Sequence, residues 1–144
     1  MSSTLITLSN AVCSEILAGV SSFSVAFTPT VKMMPGFELQ DLSTLRVTVV
    51  PRSMEITNET RGLVKKECII DIGVQKKISD IETDTAALLT LSEQIIDYMR
   101  NRPLSGYSDA RWIKTENDPI YSQEHLFSKR VFSGLITLTY RVNQ

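Results

Sequence analysis

Residues 67–75, with the sequence ECIIDIGVQ, decide the fold because an apolar residue occupies every second position. Cys68, Ile70, Ile72 and Val74 would lie on one side of an extended chain, and the residues between them on the other. Such alternation predicts a half-buried β-strand. It also favours an antiparallel sheet that packs on one face, since a strand buried on both faces would be apolar throughout.

Four further strands are predicted from the same period of two, at residues 23–28, 45–50, 112–116 and 132–142. Pro51 is expected to end the strand at 45–50, because proline has no N–H to donate to a sheet. Turn residues separate these segments. A turn is expected at Met34-Pro35-Gly36, a connecting loop follows at 37–44, and residues 120–129 are expected to form a loop or one helical turn.

Two amphipathic helices are predicted, at residues 4–19 and 83–102, because their apolar residues recur every three or four positions. Gly19 is expected to end the first helix in the left-handed conformation. Asp80, Thr83 or Asp84 can cap the second, and Pro103 prevents its continuation. The two buried stripes are Leu5, Leu8, Val12 and Ile16 in the first helix, and Leu88, Leu91, Ile95 and Met99 in the second.

The element order α-β-β-β-α-β-β predicts an α+β fold. About five mainly antiparallel strands would form one sheet, and both helices would pack on one face of it. The length of 144 residues fits a single domain spanning 1–144.

The polar segment at about 51–64 lies between two strongly patterned strands and is expected to form an extended hairpin arm. The alternatives are a mobile loop and a solvated hairpin tip without a partner. If the arm contacts a partner, a few apolar side chains would anchor it within a polar rim. The apolar candidates are Met54, Ile56 and Leu63, and the rim candidates are Arg52, Glu55, Glu59 and Arg61.

Composition argues against several functional classes. Apolar residues make up 42% of the chain and the net charge is -1, so the protein lacks the basic excess of a dedicated nucleic-acid binder. The Lys65-Lys66 and Lys76-Lys77 pairs are more typical of strand ends kept soluble than of a DNA-binding surface. No apolar run is long enough to span a membrane, and the first residues lack a signal-peptide pattern.

No catalytic, cofactor or metal site is predicted. The single histidine, His125, has no recognisable nucleophile motif around it, and Cys13 and Cys68 are expected to be buried thiols. The six glycines are too scattered for a phosphate-binding loop. The acids at 80, 82 and 84 could ligate a cation, but their position favours helix capping. The protein is therefore not expected to be an enzyme.

Four blocks of sequence resemble a family of small structural proteins of tailed bacteriophages. They are RVTVVP at 46–51, DIGVQKK at 71–77, ENDPIY at 116–121 and LITLTYRV at 135–142. Their order along the chain and the predicted order of helices and strands are similar to those of tail terminator, or tail-completion, proteins. The same blocks do not separate a terminator from another neck protein, such as a head-closure stopper or connector.

The resemblance implies a subunit of a ring, hexameric in that family, at the head-proximal end of a tail. The implied partners are other copies of the chain, the tail tube protein and a head-closure or connector protein. Passing DNA would be contacted at most non-specifically. The implied location is the neck or tail of the virion, after assembly in the host cytoplasm. A small cytosolic enzyme or ligand-binding module, or a nucleic-acid-binding accessory protein, remains an alternative.

Overall fold

The computed structural model describes residues 3–33, 44–118 and 120–143. Three α-helices and five β-strands are found in these ranges, together with a short 3-10 turn at Val20–Ser22. The helices are α1 (Thr4–Ala18), α2 (Ile81–Met99) and α3 (Gln123–Lys129). The strands are β1 (Thr30–Val31), β2 (Arg46–Thr60), β3 (Leu63–Lys77), β4 (Ala110–Asn117) and β5 (Val131–Asn143).

The five strands form one sheet in the spatial order β1-β2-β3-β5-β4. The pairs β2–β3, β3–β5 and β4–β5 are antiparallel, and β1 alone pairs in parallel, placing Thr30 beside Thr48. The predicted α+β class, element order and mainly antiparallel sheet are thus confirmed. β3 is central, which explains why its alternating pattern is the clearest in the chain.

One face of the sheet and the apolar stripes of α1 and α2 form a single core, as predicted. Burial alternates along β3, since Cys68, Ile70, Ile72 and Val74 are fully buried while the residues between them are half-buried. Cross-strand neighbours share a face, so the buried side continues through β5. The buried members of this core from β5 are Phe132, Ile136, Leu138, Tyr140 and Val142, and those from α2 are Leu88, Leu91, Ile95 and Met99.

Asp80 caps α2, because its carboxylate accepts hydrogen bonds from the backbone N–H groups of Glu82 and Thr83. Asp84 accepts from the N–H groups of Ser79 and Asp80, and these hydrogen bonds lower the pKa of Asp84. The acids at 80 and 84 therefore stabilise the helix start. The helix ends at Met99 rather than at the predicted 102.

The predicted first strand, at residues 23–28, is wrong in position. Only Thr30–Val31 pair with the sheet. The Phe23 ring packs edge-on against Tyr98 at 5.4 Å, and the N–H and hydroxyl of Ser24 both donate to Oε1 of Gln94. Contacts with α2 thus replace the strand–strand hydrogen bonds that the alternating pattern indicated.

Pro51 does not end β2, contrary to the sequence prediction. The strand continues to Thr60, with a register shift between Pro51 and Ser53. The Lys32 N–H donates to the carbonyl of Val49, so the backbone polar groups of residue 49 point toward β1 and away from β3. Those of residue 51, two positions further along the strand, point the same way. The missing N–H of proline therefore interrupts no pairing with β3. The described part of β1 pairs with β2 only at residues 48 and 49, so at Pro51 the outer side of β2 has no described partner strand, and proline is tolerated there.

Two smaller predictions also differ from the structure. Gly19 has φ −95°, so it is not left-handed as expected. Residues 123–129 form a helix of two turns, α3, where a loop or a single turn was expected. The predicted turn at 34–36 and most of the loop at 37–44 lie outside the described residues. No described helix combines the length and apolar character needed to cross a membrane.

Candidate interaction surface

The β2–β3 hairpin extends beyond the helices, and its outer part, residues 51–64, is referred to below as the arm. Thr60 and Leu63 pair across a two-residue turn of Arg61 and Gly62. Gly62 has φ +84°, a conformation that glycine adopts without steric cost. The arm is therefore a paired hairpin with a tight tip.

The side of the arm that continues the core face carries exposed apolar side chains. Met54 lies opposite Cys68, and Ile56 lies opposite Lys66. Cys68 is fully buried, whereas Met54 is 38% exposed and Ile56 is 54% exposed. The apolar face of the sheet thus extends beyond the part that is buried, and its outer end, beside Lys66, is exposed to solvent.

On the other side of the arm, charged side chains form ion pairs along the outer face of the sheet. Nε of Arg52 lies 3.5 Å from Oδ2 of Asp71, and the Thr137 hydroxyl donates to the same carboxylate at 2.9 Å. Nη2 of Arg141 donates to Glu67 at 2.9 Å. This hydrogen bond holds the pKa of Glu67 below its usual value, with Lys65 adding to the effect.

The residues predicted as the interface fall into different environments. Arg52 is tied to Asp71, so its cation is already paired within the chain. Leu63 is 47% exposed, and Arg61 is exposed at the turn. Glu55 is exposed and lies opposite Glu67. Glu59 belongs to β2, but its side chain is outside the described part of the structure.

A second exposed apolar surface, which the sequence reasoning missed, lies at the start of β5. We call it the α3 surface, and it consists of Ile120, Glu124 and Phe127. Ile120 is 48% exposed and Phe127 is 70% exposed, the largest exposure of a bulky apolar residue in the described chain. The sequence signal was weak, because a segment of two turns carries too little periodicity to tell which of the adjacent apolar residues Leu126 and Phe127 is exposed.

The described residues gather no recognisable catalytic or metal-binding group. Among them, no set of three or more histidine, cysteine and acidic residues could hold a metal ion. Cys13 is half-buried and Cys68 buried, and burial raises the pKa of both thiols. His125 lies on α3, and its side chain is outside the described part.

Two open surface cavities are present in the described part of the chain. One, of about 340 Å³, lies between Arg102 and Trp112. The other, of about 490 Å³, lies near Phe27 and Lys76 where β2 begins. The described lining of each contains no carboxylate, histidine or cysteine, so neither cavity offers an acid–base pair. The arm and the α3 surface are therefore the main candidates for function.

Comparison with known proteins gives a structural likeness only. No protein-family model and no curated protein matches the chain. The chain is similar in structure to the sheath/tube terminator of an extracellular contractile injection system (PVC), solved by cryo-EM in the extended state, with 16% identity and a TM-score of 0.49. The similarity covers 100% of this chain and 58% of that one.

Proposed function

We propose that this protein is a tail terminator: a structural ring subunit that ends tail growth at the head-proximal end and joins the tail to the head. The observation that carries the proposal is the arm, a paired hairpin that presents Met54, Ile56 and Leu63 to solvent. The four sequence blocks that resemble tail terminator proteins support it.

An arm of this kind is suited to a protein–protein contact. Interface centres are apolar and their rims polar. In the arm, Met54 and Ile56 are exposed, Lys66 lies opposite Ile56, and the exposed Arg61 is at the tip. The tip is held by strand pairing, so little conformational entropy is lost when a partner binds. A solvated arm without a partner would gain no stability from exposing Ile56 and Leu63.

The proposed partners are other copies of the chain in a closed ring, taken as a hexamer, together with the tail tube protein and a head-closure or connector protein. The proposed location is the neck or tail of a virion after assembly in the host cytoplasm. The protein would act without catalysis or a cofactor. Passing DNA would meet a subunit of net charge -1 and would be bound at most non-specifically.

The native mass of the purified protein tests the ring. A ring of six would weigh six times the subunit mass of 16.1 kDa, and a monomer at all concentrations would contradict the proposal. A shortened variant removes most of the arm, together with the three β3 residues, 65–67, that pair with the end of β5. Replacing residues 55–67 by Asn-Gly leaves Met54 and Cys68 as the closing pair of a two-residue hairpin.

The shortened variant should remain folded and lose the ring. Its circular dichroism spectrum should keep the helix and strand signals, because no described residue between 55 and 67 is fully buried. The matched control is Thr57→Asp, an exposed position on the opposite side of the arm from Ile56. Full rings from the shortened variant would remove the arm from the proposed mechanism.

A second experiment separates a terminator from another neck protein. Purified rings are added to polymerising tail tubes, and tube length is measured by electron microscopy. A terminator should cap tube ends and stop elongation. Rings that leave tube growth unchanged but bind a head portal would identify the head-closure stopper or connector alternative instead.

A further inference from the structure

The α3 surface is held rigidly over the start of β5. The N–H of Ser122 donates to the Ser133 carbonyl at 2.9 Å, and the Tyr121 ring packs against Phe132 at 5.9 Å. Leu126 is 2% exposed and anchors α3 in the core. Leu126 is directed inward, and the next residue, Phe127, is exposed to solvent.

The α3 surface and the arm lie at opposite ends of the sheet. β5 begins beside Lys77 and ends beside Lys65, so its first residues are far from the hairpin tip. At about 3.3 Å per residue, the distance along β3 from Val74 to Lys66, which lies opposite Ile56, is roughly 26 Å. The two apolar surfaces therefore cannot meet within one chain, but they can meet between two copies.

The two surfaces are complementary in charge. On the arm, Met54 and Ile56 lie beside Lys66, which forms no ion pair with any described residue. On α3, Glu124 lies three positions before Phe127 and hence on the same side of the helix, and it too is exposed. We define the arm surface as Met54, Ile56 and Lys66. A contact between the arm surface and the α3 surface would bring Lys66 and Glu124 together.

A twofold contact between like surfaces is disfavoured by the same charges. Two arm surfaces facing each other would oppose Lys66 to Lys66, and two α3 surfaces would oppose Glu124 to Glu124. Like charges across an interface cost affinity and suppress that pairing. A contact between two different surfaces can be reciprocal within a twofold pair or head-to-tail, and head-to-tail contacts generate a ring when the rotation closes. The ring of the proposed function takes the head-to-tail arrangement.

We propose that the arm surface of one copy docks on the α3 surface of the next copy and that this contact builds the ring. The inference rests on the proposed function, because it names the subunit contact of the same assembly. Ile56 and Phe127 supply the apolar centre. Lys66 and Glu124 set the direction in which copies join.

Mixing two variants tests this contact directly. Ile56→Asp disables the arm surface and leaves the α3 surface, and Phe127→Asp does the reverse. Each variant alone should be a monomer. Mixed in equal amounts, they retain one intact contact between them and should form a one-to-one heterodimer that stops at twice 16.1 kDa. Thr57→Asp, on the other side of the arm, should keep the wild-type ring.

Charge reversal provides a second test that does not touch the apolar residues. Lys66→Glu and Glu124→Lys should each weaken association more than tenfold, and the double variant should recover most of it. Circular dichroism and cooperative unfolding of each variant establish that it is folded.

The outcomes distinguish the contact from the ring itself. Wild-type rings combined with no heterodimer from the folded variants would overturn the contact and leave the proposed function standing. Rings retained by either aspartate variant alone would also overturn the contact. A wild-type chain that stays monomeric would contradict the ring and the contact together.

Discussion

Replacing Gly19 by alanine should destabilise the protein through a collision with one aromatic ring. A Cβ added at this position would lie 2.4–2.9 Å from three atoms of the Tyr98 ring, closer than carbon atoms approach in proteins. Gly19 has φ −95°, so its backbone conformation is open to any residue. The space occupied by Tyr98, and not the backbone, accounts for glycine here.

The size of the effect follows from the contacts that hold the ring. Tyr98 packs edge-on against Phe23 at 5.4 Å, and the Arg102 guanidinium lies 3.7 Å from its ring centre. The aromatic contact is worth about 0.5–1.5 kcal/mol and an exposed cation–π contact about 0.5–1 kcal/mol. Displacing the ring forfeits both, so Gly19→Ala should cost about 1–2.5 kcal/mol, which in a chain of this size lowers Tm by roughly 3–8 °C.

Urea unfolding followed by circular dichroism measures this loss in two backgrounds. In a Tyr98→Ala background the ring is gone, and adding Gly19→Ala should cost nothing. Gly73→Ala is the matched control in β3, because an added Cβ there meets no atom within 4 Å. An equal loss from Gly19→Ala with and without Tyr98 would refute the steric explanation and implicate the backbone.

Three further predictions concern the core, the turn and pH. Ile72→Ala and Leu138→Ala, both at fully buried positions, should each lower the free energy of unfolding by about 2–5 kcal/mol in urea, and a loss below about 0.5 kcal/mol would reject their assigned faces. Gly62→Ala should cost about 1–2 kcal/mol in local hairpin stability, because a φ of +84° is strained for alanine even though an added Cβ would meet no other atom. Amide exchange near the tip measures this cost, and unchanged exchange would contradict it. The pKa of Glu67 is lowered in the folded state, so ionised Glu67 contributes stability above pH 4.5 that is lost as the pH falls through the folded-state pKa. Glu67→Gln should therefore make stability depend less steeply on pH in the acid range. An equally steep dependence in the variant would show that the hydrogen bond to Arg141 is unimportant.

The period of the sequence correctly predicted which faces are buried. The alternation in 67–75 and the stripe in 83–102 correspond to the two halves of one core. Burial depends on which side chains an element places together, and that follows from local geometry of the helix or strand. The cap at Asp80 was predictable for the same reason, since its hydrogen bonds reach only two and three residues along the chain.

The candidate surfaces were only partly predictable. The arm was expected at about 51–64 because polar residues separate two patterned strands. Whether its apolar side chains are covered depends on where α1 and α2 end over the sheet, which no local pattern reports. The α3 surface was missed, because a two-turn segment carries too little periodicity to predict that Leu126 faces inward and Phe127 outward.

The sequence by itself therefore determined the fold class, the element order and the core faces, since these follow from periodicities of two and 3.6 residues. Tertiary structure decided the points that depend on distant neighbours. Residues 23–28 have a strand pattern, but contacts with Tyr98 and Gln94 compete with strand pairing. Pro51 continues a strand because the described part of β1 pairs with β2 only at residues 48 and 49, and Gly19 is required by a ring from α2. In each case the deciding contact comes from residues far along the chain, where local propensity carries no information.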